Sequence, residues 1–149
     1  MSLQKTKINY RTAVWIIFGF ALAVRLSALI FSDLIPALQR YVIWGDAVGY
    51  TQLAVNLLVE GSFRFSGGSA TAFRMPGYPF YLALTYATIG SPVLAQFLQI
   101  IADLIVMLCT LRISEYLFKD KVVGLLSIVV IAVHPIFILS TITLYPESL

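Results

Sequence analysis

Charge is what this sequence has least of. Only 11% of its 149 residues are Asp, Glu, Lys or Arg, against 60% hydrophobic, and mean hydropathy is +0.91. A water-soluble domain must cover its core with polar side chains, and this chain has too few to do so. The expected solvent is therefore a lipid bilayer. Cysteine is nearly absent as well: Cys109 is alone and sits in an apolar run, which excludes an intrachain disulfide. No internal repeat and no low-complexity tract divides the chain, so one domain, or one piece of a domain, is the simplest organisation. The net charge of +3 and pI near 9.1 are accounted for below by charge asymmetry across the membrane, and no nucleic-acid partner is required.

A spanning helix needs about 20 mostly apolar residues. Three stretches qualify: Ala13 to Phe31, Pro92 to Phe118, and Val122 to Leu144. A fourth, Tyr78 to Ile89, would rise only about 18 Å and suits an interfacial or re-entrant helix. The first stretch follows Lys5, Lys7 and Arg11 as a signal sequence does, but ALIFSD offers no small-residue cleavage site, so a retained signal anchor is expected. With the N-terminus in the cytoplasm, Lys5, Lys7, Arg11, Arg112, Lys119 and Lys121 lie inside and Arg40, Arg64 and Arg74 outside, the asymmetry that favours this orientation. The expected fold is thus an all-α polytopic membrane protein with three transmembrane helices, and an outer loop 32–91 carrying juxtamembrane helices over 46–60 and 78–89. Its location is a bacterial inner membrane, or an equivalent membrane facing a lumen.

Within that loop, Asp46, Gly49, Gln52, Asn56 and Glu60 fall on one polar arc at helical spacing, while Ala47, Tyr50, Ala54, Val55, Leu57 and Leu58 spread over the other side. This predicts an amphipathic helix on the membrane surface. Asp46 at its start is either a helix cap or a functional carboxylate. A Gly/Ser-rich stretch, Phe63 to Ser69, then delivers Arg74 just before Pro76 and Pro79. The planar guanidinium matches a phosphate bidentately, and a substrate phosphate and a lipid headgroup are equally good chemical matches.

Inside the membrane, Arg25 and Asp103 would each cost about 2.5–3.5 kcal/mol at a lipid-facing helix centre. Gln96, Gln99 and Asp103 recur at i, i+3 and i+7, a polar stripe that must face protein or water. Arg25, within about 9 Å of the outer end of its helix, either snorkels outward or pairs with Asp103. Pro135 is expected to kink the third span, with His134 as a hydrogen bonder in helix packing. Glu147 returns a second carboxylate to the outer face, where it is either solvated or functional.

The run GDAVGYTQLAVNLLVEGSF, then FRMPGYPFYLAL, a Gln-containing span ending in LRISEYLF, and the exit IAVHPIFI…LYPESL resemble the N-terminal part of the C-type (GT-C) membrane glycosyltransferases. The likeness is strongest to the dolichyl-phosphate-mannose-protein mannosyltransferase-like branch. The resemblance runs over roughly Ala13 to Leu149, and its order of features is more specific than any single motif. It implies a lipid-linked donor, a polyprenyl-phosphate sugar, on the outer face. Asp46 matches the first-loop acid assigned as base or acceptor-positioning residue, Arg74 falls among donor-side residues, and Glu147 falls where a second outer acid often stands. Two departures matter. Ala47 replaces the second of two adjacent acids found in some relatives, which weakens a metal-binding version at that point, although a divalent metal stays open. The family also runs to several hundred residues, so this length of chain is expected to be inactive alone. The sugar and the acceptor are not specified. The other expectations are a non-catalytic membrane protein that binds lipid-linked sugars or assists a partner, and a purely structural three-helix subunit.

Overall fold

The apolar runs form helices because a backbone in lipid must satisfy its own N–H and C=O groups. The structure, a computed structural model, describes residues 9–34, 45–65, 68, 71 and 73–146. The regular structure among these residues is all helical, with no strand. Helix α1 covers Tyr10–Leu34, α2 Asp46–Glu60, α3 Gly77–Ile89, α4 Val93–Phe118, α5 Lys121–Val133 and α6 Pro135–Ile142. Two segments are long and apolar enough to cross a membrane, Tyr10–Ser32 in α1 and the whole of α4. At 23 and 26 residues they extend about 35 and 39 Å, enough for a hydrocarbon layer of about 30 Å. α5 and α6, with 13 and 8 residues, are each too short alone and qualify only as a pair, bent by 53° at their junction.

Pro135 explains the bend. It has no N–H to donate, and it pushes the preceding residue out of the helical region: His134 is extended, at φ −71° and ψ 124°. His134 then caps the next helix, its Nδ1 accepting from Ile136 N at 3.3 Å, with Pro135 pre-set at the first helical position. The kink expected at Pro135 is present, and the histidine serves as a helix cap.

α1, α4, α5 and α6 pack on one another, α2 packs on α3, and α3 joins that outer layer to α4. Ala21, Met107, Leu111, Ile128, Ile131 and Ala132 fill the middle of the bundle. Nearer the outer layer, Leu29, Ile100 and Ile142 bring together the end of α1, the first half of α4 and the end of α6. A third cluster, with Ala47, Ala54, Tyr78, Leu82, Ala95 and Leu144, closes α2 and α3 over that end. At the opposite end Tyr10 donates to Glu115, and Lys121 Nζ stands 5.1 Å from the centre of the Tyr10 ring. The loop helices therefore sit on one end of the bundle and Tyr10, where α1 begins among the described residues, at the other. α4 and α5 approach closely at Gly124, where a Cβ would stand 3.0 Å from Glu115 Cγ and 3.1 Å from Leu111 Cδ1.

α2 begins and ends where its pattern says, with Gly61 as its left-handed C-cap. One residue of its polar arc differs from the expectation. Asn56 is buried, its Nδ2 donating to Arg64 O at 2.8 Å, because the loop after α2 folds back on that side. Val55 and Leu58 are exposed, as are Val48 and Val59, while Ala47, Leu53 and Ala54 are fully buried and Tyr50 and Leu57 pack against the cluster shared with α3. An apolar face is thus left outward on a helix that has no second protein layer over it among the described residues.

Candidate functional site at the Asp46–Arg74 pair

Gly45 makes the entry to α2. Its φ of +56° with ψ −124° is a conformation that L side chains rarely adopt, and a Cβ there would lie 2.9 Å from Tyr145 Oη. The turn places Asp46 as the first residue of α2, with Gly45 in the cap position. The capping role considered for Asp46 is therefore not the one its carboxylate fills; both of its oxygens are taken by Arg74.

Arg74 arrives from the other side of the loop. Thr71 N donates to Phe63 O at 3.1 Å and Phe73 N to Thr71 Oγ1 at 3.1 Å, which ties the approach to Arg74 back to the residues just after α2. Arg74 Nη1 then donates to Asp46 Oδ2 at 3.0 Å, and Nη2 to Oδ1, a fork-on-carboxylate pairing. Two rings, Tyr50 and Phe73, have their centres 5.1 Å from the guanidinium carbon, within cation–π range. Its Nε lies over Gly49, 3.8 Å from where a Cβ would be, and has no acceptor among the described residues. The carboxylate is 58% exposed and the arginine side chain 21%: a sunken cation lies beneath an open anion. Exposed Phe73 and Met75 flank Arg74 in sequence, and exposed Phe80 follows on α3, stacked on Phe63 at 6.3 Å. The other described loop cation, Arg64, is held by Glu60 at 2.9 Å.

This pairing sets the electrostatics. Hydrogen bonding from Arg74 holds the Asp46 carboxyl below its ordinary value of 3.8, and the same bonds push the arginine further up. Asp46 is ionised at neutral pH and, while paired, a weaker base than a free aspartate.

The site is tied to the bundle through aromatic contacts. Tyr50 meets Tyr78 edge to face at 5.4 Å, and Tyr78 Oη accepts from Gln99 Nε2 at 2.8 Å. Gln96, three residues earlier on α4, donates to Ile142 O at 2.6 Å, holding the end of α6. One turn further along, Asp103 Oδ2 lies 2.6 Å from Arg25 Nη2. The polar stripe of Gln96, Gln99 and Asp103 is buried along its length, as the cost of facing lipid requires. Of the two options for Arg25, pairing is the one adopted: the residue is fully buried. Its guanidinium also donates to Ala21 O at 3.2 Å, Ile131 O at 3.2 Å and Ala132 O at 3.4 Å. Pro135 supplies no N–H for the Ile131 carbonyl, and the Ile136 N–H that would serve Ala132 in an unbroken helix goes to His134 instead. Arg25 supplies donors that the proline break removes, at the negative end of the α5 dipole. Arg25, Asp103 and Pro135 thus form one structural unit.

Asp46 and Arg74 are brought together, and so are Arg25 and Asp103. Glu147 lies outside the described residues, as do Lys5, Lys7 and Arg40 of the charge count. Among the described residues no three His, Cys, Asp or Glu side chains converge as a metal site would require. Tyr50, Phe73 and Tyr78, which frame the guanidinium and link it to α4, were not anticipated. The available signal was slight: Tyr50 is one turn after Asp46, and Phe73 adjoins Arg74. Comparison with family models, with curated proteins and with solved structures gave no match to this chain.

Proposed function

We propose that the chain carries the donor-side site of a polyprenyl-phosphate-dependent membrane glycosyltransferase of the C-type kind it resembles. In this account the α5–α6 pair is a third span and the N-terminus is cytoplasmic. The described basic residues at the N-terminal end of the bundle, Arg11, Arg112, Lys119 and Lys121, outnumber Arg64 and Arg74 at the other, in keeping with that orientation. The observation that carries the functional proposal is the Asp46–Arg74 fork rimmed by exposed Phe73 and Met75. It joins a phosphate-matching cation, a carboxylate and an apolar surface at the loop-bearing end of the bundle.

The chemistry proceeds by exchange. Both Nη groups of Arg74 are occupied by Asp46, so a donor phosphate takes the guanidinium only by displacing the carboxylate. Displacement removes the hydrogen bonds that depress the Asp46 pKa and restores its basicity as the donor arrives. The acceptor hydroxyl oxygen then bonds to the anomeric carbon, the bond from that carbon to the phosphate oxygen breaks, and the hydroxyl proton passes to Asp46. The polyprenyl phosphate leaves with its charge met by Arg74. A positioned base of this kind contributes about 10²–10⁴ in rate.

The test is transfer in membranes from a panel of labelled polyprenyl-phosphate sugars, with the complete gene product carrying each variant. Asp46→Asn is expected to abolish transfer without changing membrane expression, and Arg74→Ala to weaken donor use chiefly. Full turnover by Asp46→Asn removes the assignment. A second reading, a non-catalytic holder of lipid-linked sugars, draws support from the depressed basicity of the paired carboxylate. It predicts donor binding with no transfer by any variant, the wild type included.

A further inference from the structure

We propose that the groove between α1 and α4, at the end of the bundle away from α2 and α3, is a binding site for an anionic phospholipid. The phosphate would sit among Arg11, Arg112 and Lys121, with an acyl chain along the seam between the two helices. The proposal depends on α1 and α4 crossing the membrane and is independent of the outer-site chemistry.

The groove has a volume of about 1100 Å³, at the upper end of ligand-sized cavities. Its walls are Trp15 and Phe18 from α1 and Ile101, Ile105 and Leu108 from α4. Trp15, Ile105 and Leu108 are exposed, so the slot opens sideways towards lipid. Arg11, Arg112 and Lys121 line its mouth together with Tyr10 and Glu115. Glu115 is the one acid there, and it is engaged: Tyr10 donates to it and Arg112 lies 3.9 Å away. Three cations therefore share the mouth with one carboxylate already in use. The Arg112 side chain is 75% exposed, free to reach a headgroup, and the Tyr10–Glu115 contact holds α1 to α4 at the top of the slot.

Charge decides between occupants. A second copy of the chain docked symmetrically on this face would set these cations against their own images, which is repulsive. An apolar helix would fill the walls and leave the cations without a counter-charge. An anionic phospholipid satisfies both halves: hydrocarbon for the walls, phosphate for the rim, where basic residues near a bilayer surface attract anionic headgroups. Trp15, one helical turn in from Arg11 on α1, belongs near the same interfacial depth.

Trp15 also reports on the site, since the only other tryptophan, Trp44, is removable. The full chain carrying Trp44→Phe would be placed in vesicles of equal parts phosphatidylglycerol and phosphatidylcholine, with bromine on the acyl chains of one lipid or the other. Quenching of Trp15 by brominated phosphatidylglycerol is expected to exceed that by brominated phosphatidylcholine about fivefold or more, the effect of one or more engaged cations. Replacing Arg11, Arg112 and Lys121 by Gln together should bring the two lipids level, and Arg112→Lys alone should keep the preference. A reporter elsewhere on the bundle, Leu126→Trp in a Trp15→Phe, Trp44→Phe background, should show no preference, because Leu126 is exposed on α5 away from the groove. Equal quenching of Trp15 by the two lipids would overturn the proposal. So would protection of Trp15 from both, which would mean that a helix or a second copy covers the slot. The same preference at Leu126→Trp would reduce the effect to diffuse attraction and overturn it too.

Discussion

Replacing Asp103 with Asn removes the carboxylate from a guanidinium that is fully buried and leaves the charge in the bundle interior. At 2.6 Å the gross attraction is about 6 kcal/mol at an effective dielectric of 20, most of it offsetting the cost of desolvating two ions. Loss of one partner from a buried pair costs about 3–5 kcal/mol, and that is the destabilisation expected for Asp103→Asn. The structure adds a finer expectation. In Arg25→Leu/Asp103→Leu no charge is stranded, yet the Ile131 and Ala132 carbonyls lose the donors supplied by Arg25, at about 1–3 kcal/mol for each buried acceptor left unsatisfied. Adding Pro135→Ala gives Ile131 O a backbone donor again, so the triple variant should be more stable than the double. Unfolding in mixed detergent micelles, with the variants compared as a cycle, measures each step. A cost below about 1 kcal/mol for Asp103→Asn, or no gain from Pro135→Ala in the double variant, would refute the idea that Arg25, Asp103 and the proline break act as one unit.

Gly45→Ala forces a side chain into a positive-φ conformation and against Tyr145 Oη; a loss of about 1–3 kcal/mol in the same unfolding assay is expected. Gly124→Leu, at the closest approach of α4 and α5, should cost about 1–3 kcal/mol by overpacking and loosen the Tyr10–Glu115 contact, which tyrosine fluorescence or a cross-link between α1 and α4 would register. The Asp46 pKa is lowered in the folded state, so the contribution of its pair with Arg74 is present in full above the ordinary value of 3.8 and lost as pH falls below it. Hydrogen exchange in the first turn of α2, corrected for intrinsic rates, should therefore be flat from about pH 5 to 8 and rise only under stronger acid.

Local order was legible in the sequence, and long-range order was not. The two long spans, the bounds of α2 and the short α3 follow from apolar length, from Gly61 after α2 and from Pro76 before α3, because helix boundaries are set by nearby residues. The third apolar stretch is apolar enough, but Pro135 divides it at a 53° bend, a break whose angle depends on what fills the freed carbonyls. The inward stripe of Gln96, Gln99 and Asp103 was readable because polar groups in lipid have few places to go. Asp46 and Arg74 are 28 positions apart, across a Gly/Ser-rich stretch that carries no periodicity, so nothing in the pattern dictated their meeting. The inward Asn56 was misassigned because a helical wheel gives angular position but not which side the neighbouring element takes.

The claim on which the account rests is that Arg74 holds a lipid phosphate in exchange for Asp46. Its most direct measurement is the affinity of polyprenyl monophosphate for the membrane-embedded protein, in wild type, Asp46→Asn and Arg74→Ala. Exchange predicts that Asp46→Asn binds as tightly as wild type or more tightly, since the guanidinium no longer has to be released, and that Arg74→Ala binds at least about tenfold more weakly, as expected for loss of a charge-assisted fork. Equal binding by wild type and Arg74→Ala, or parallel loss in both variants, would contradict it.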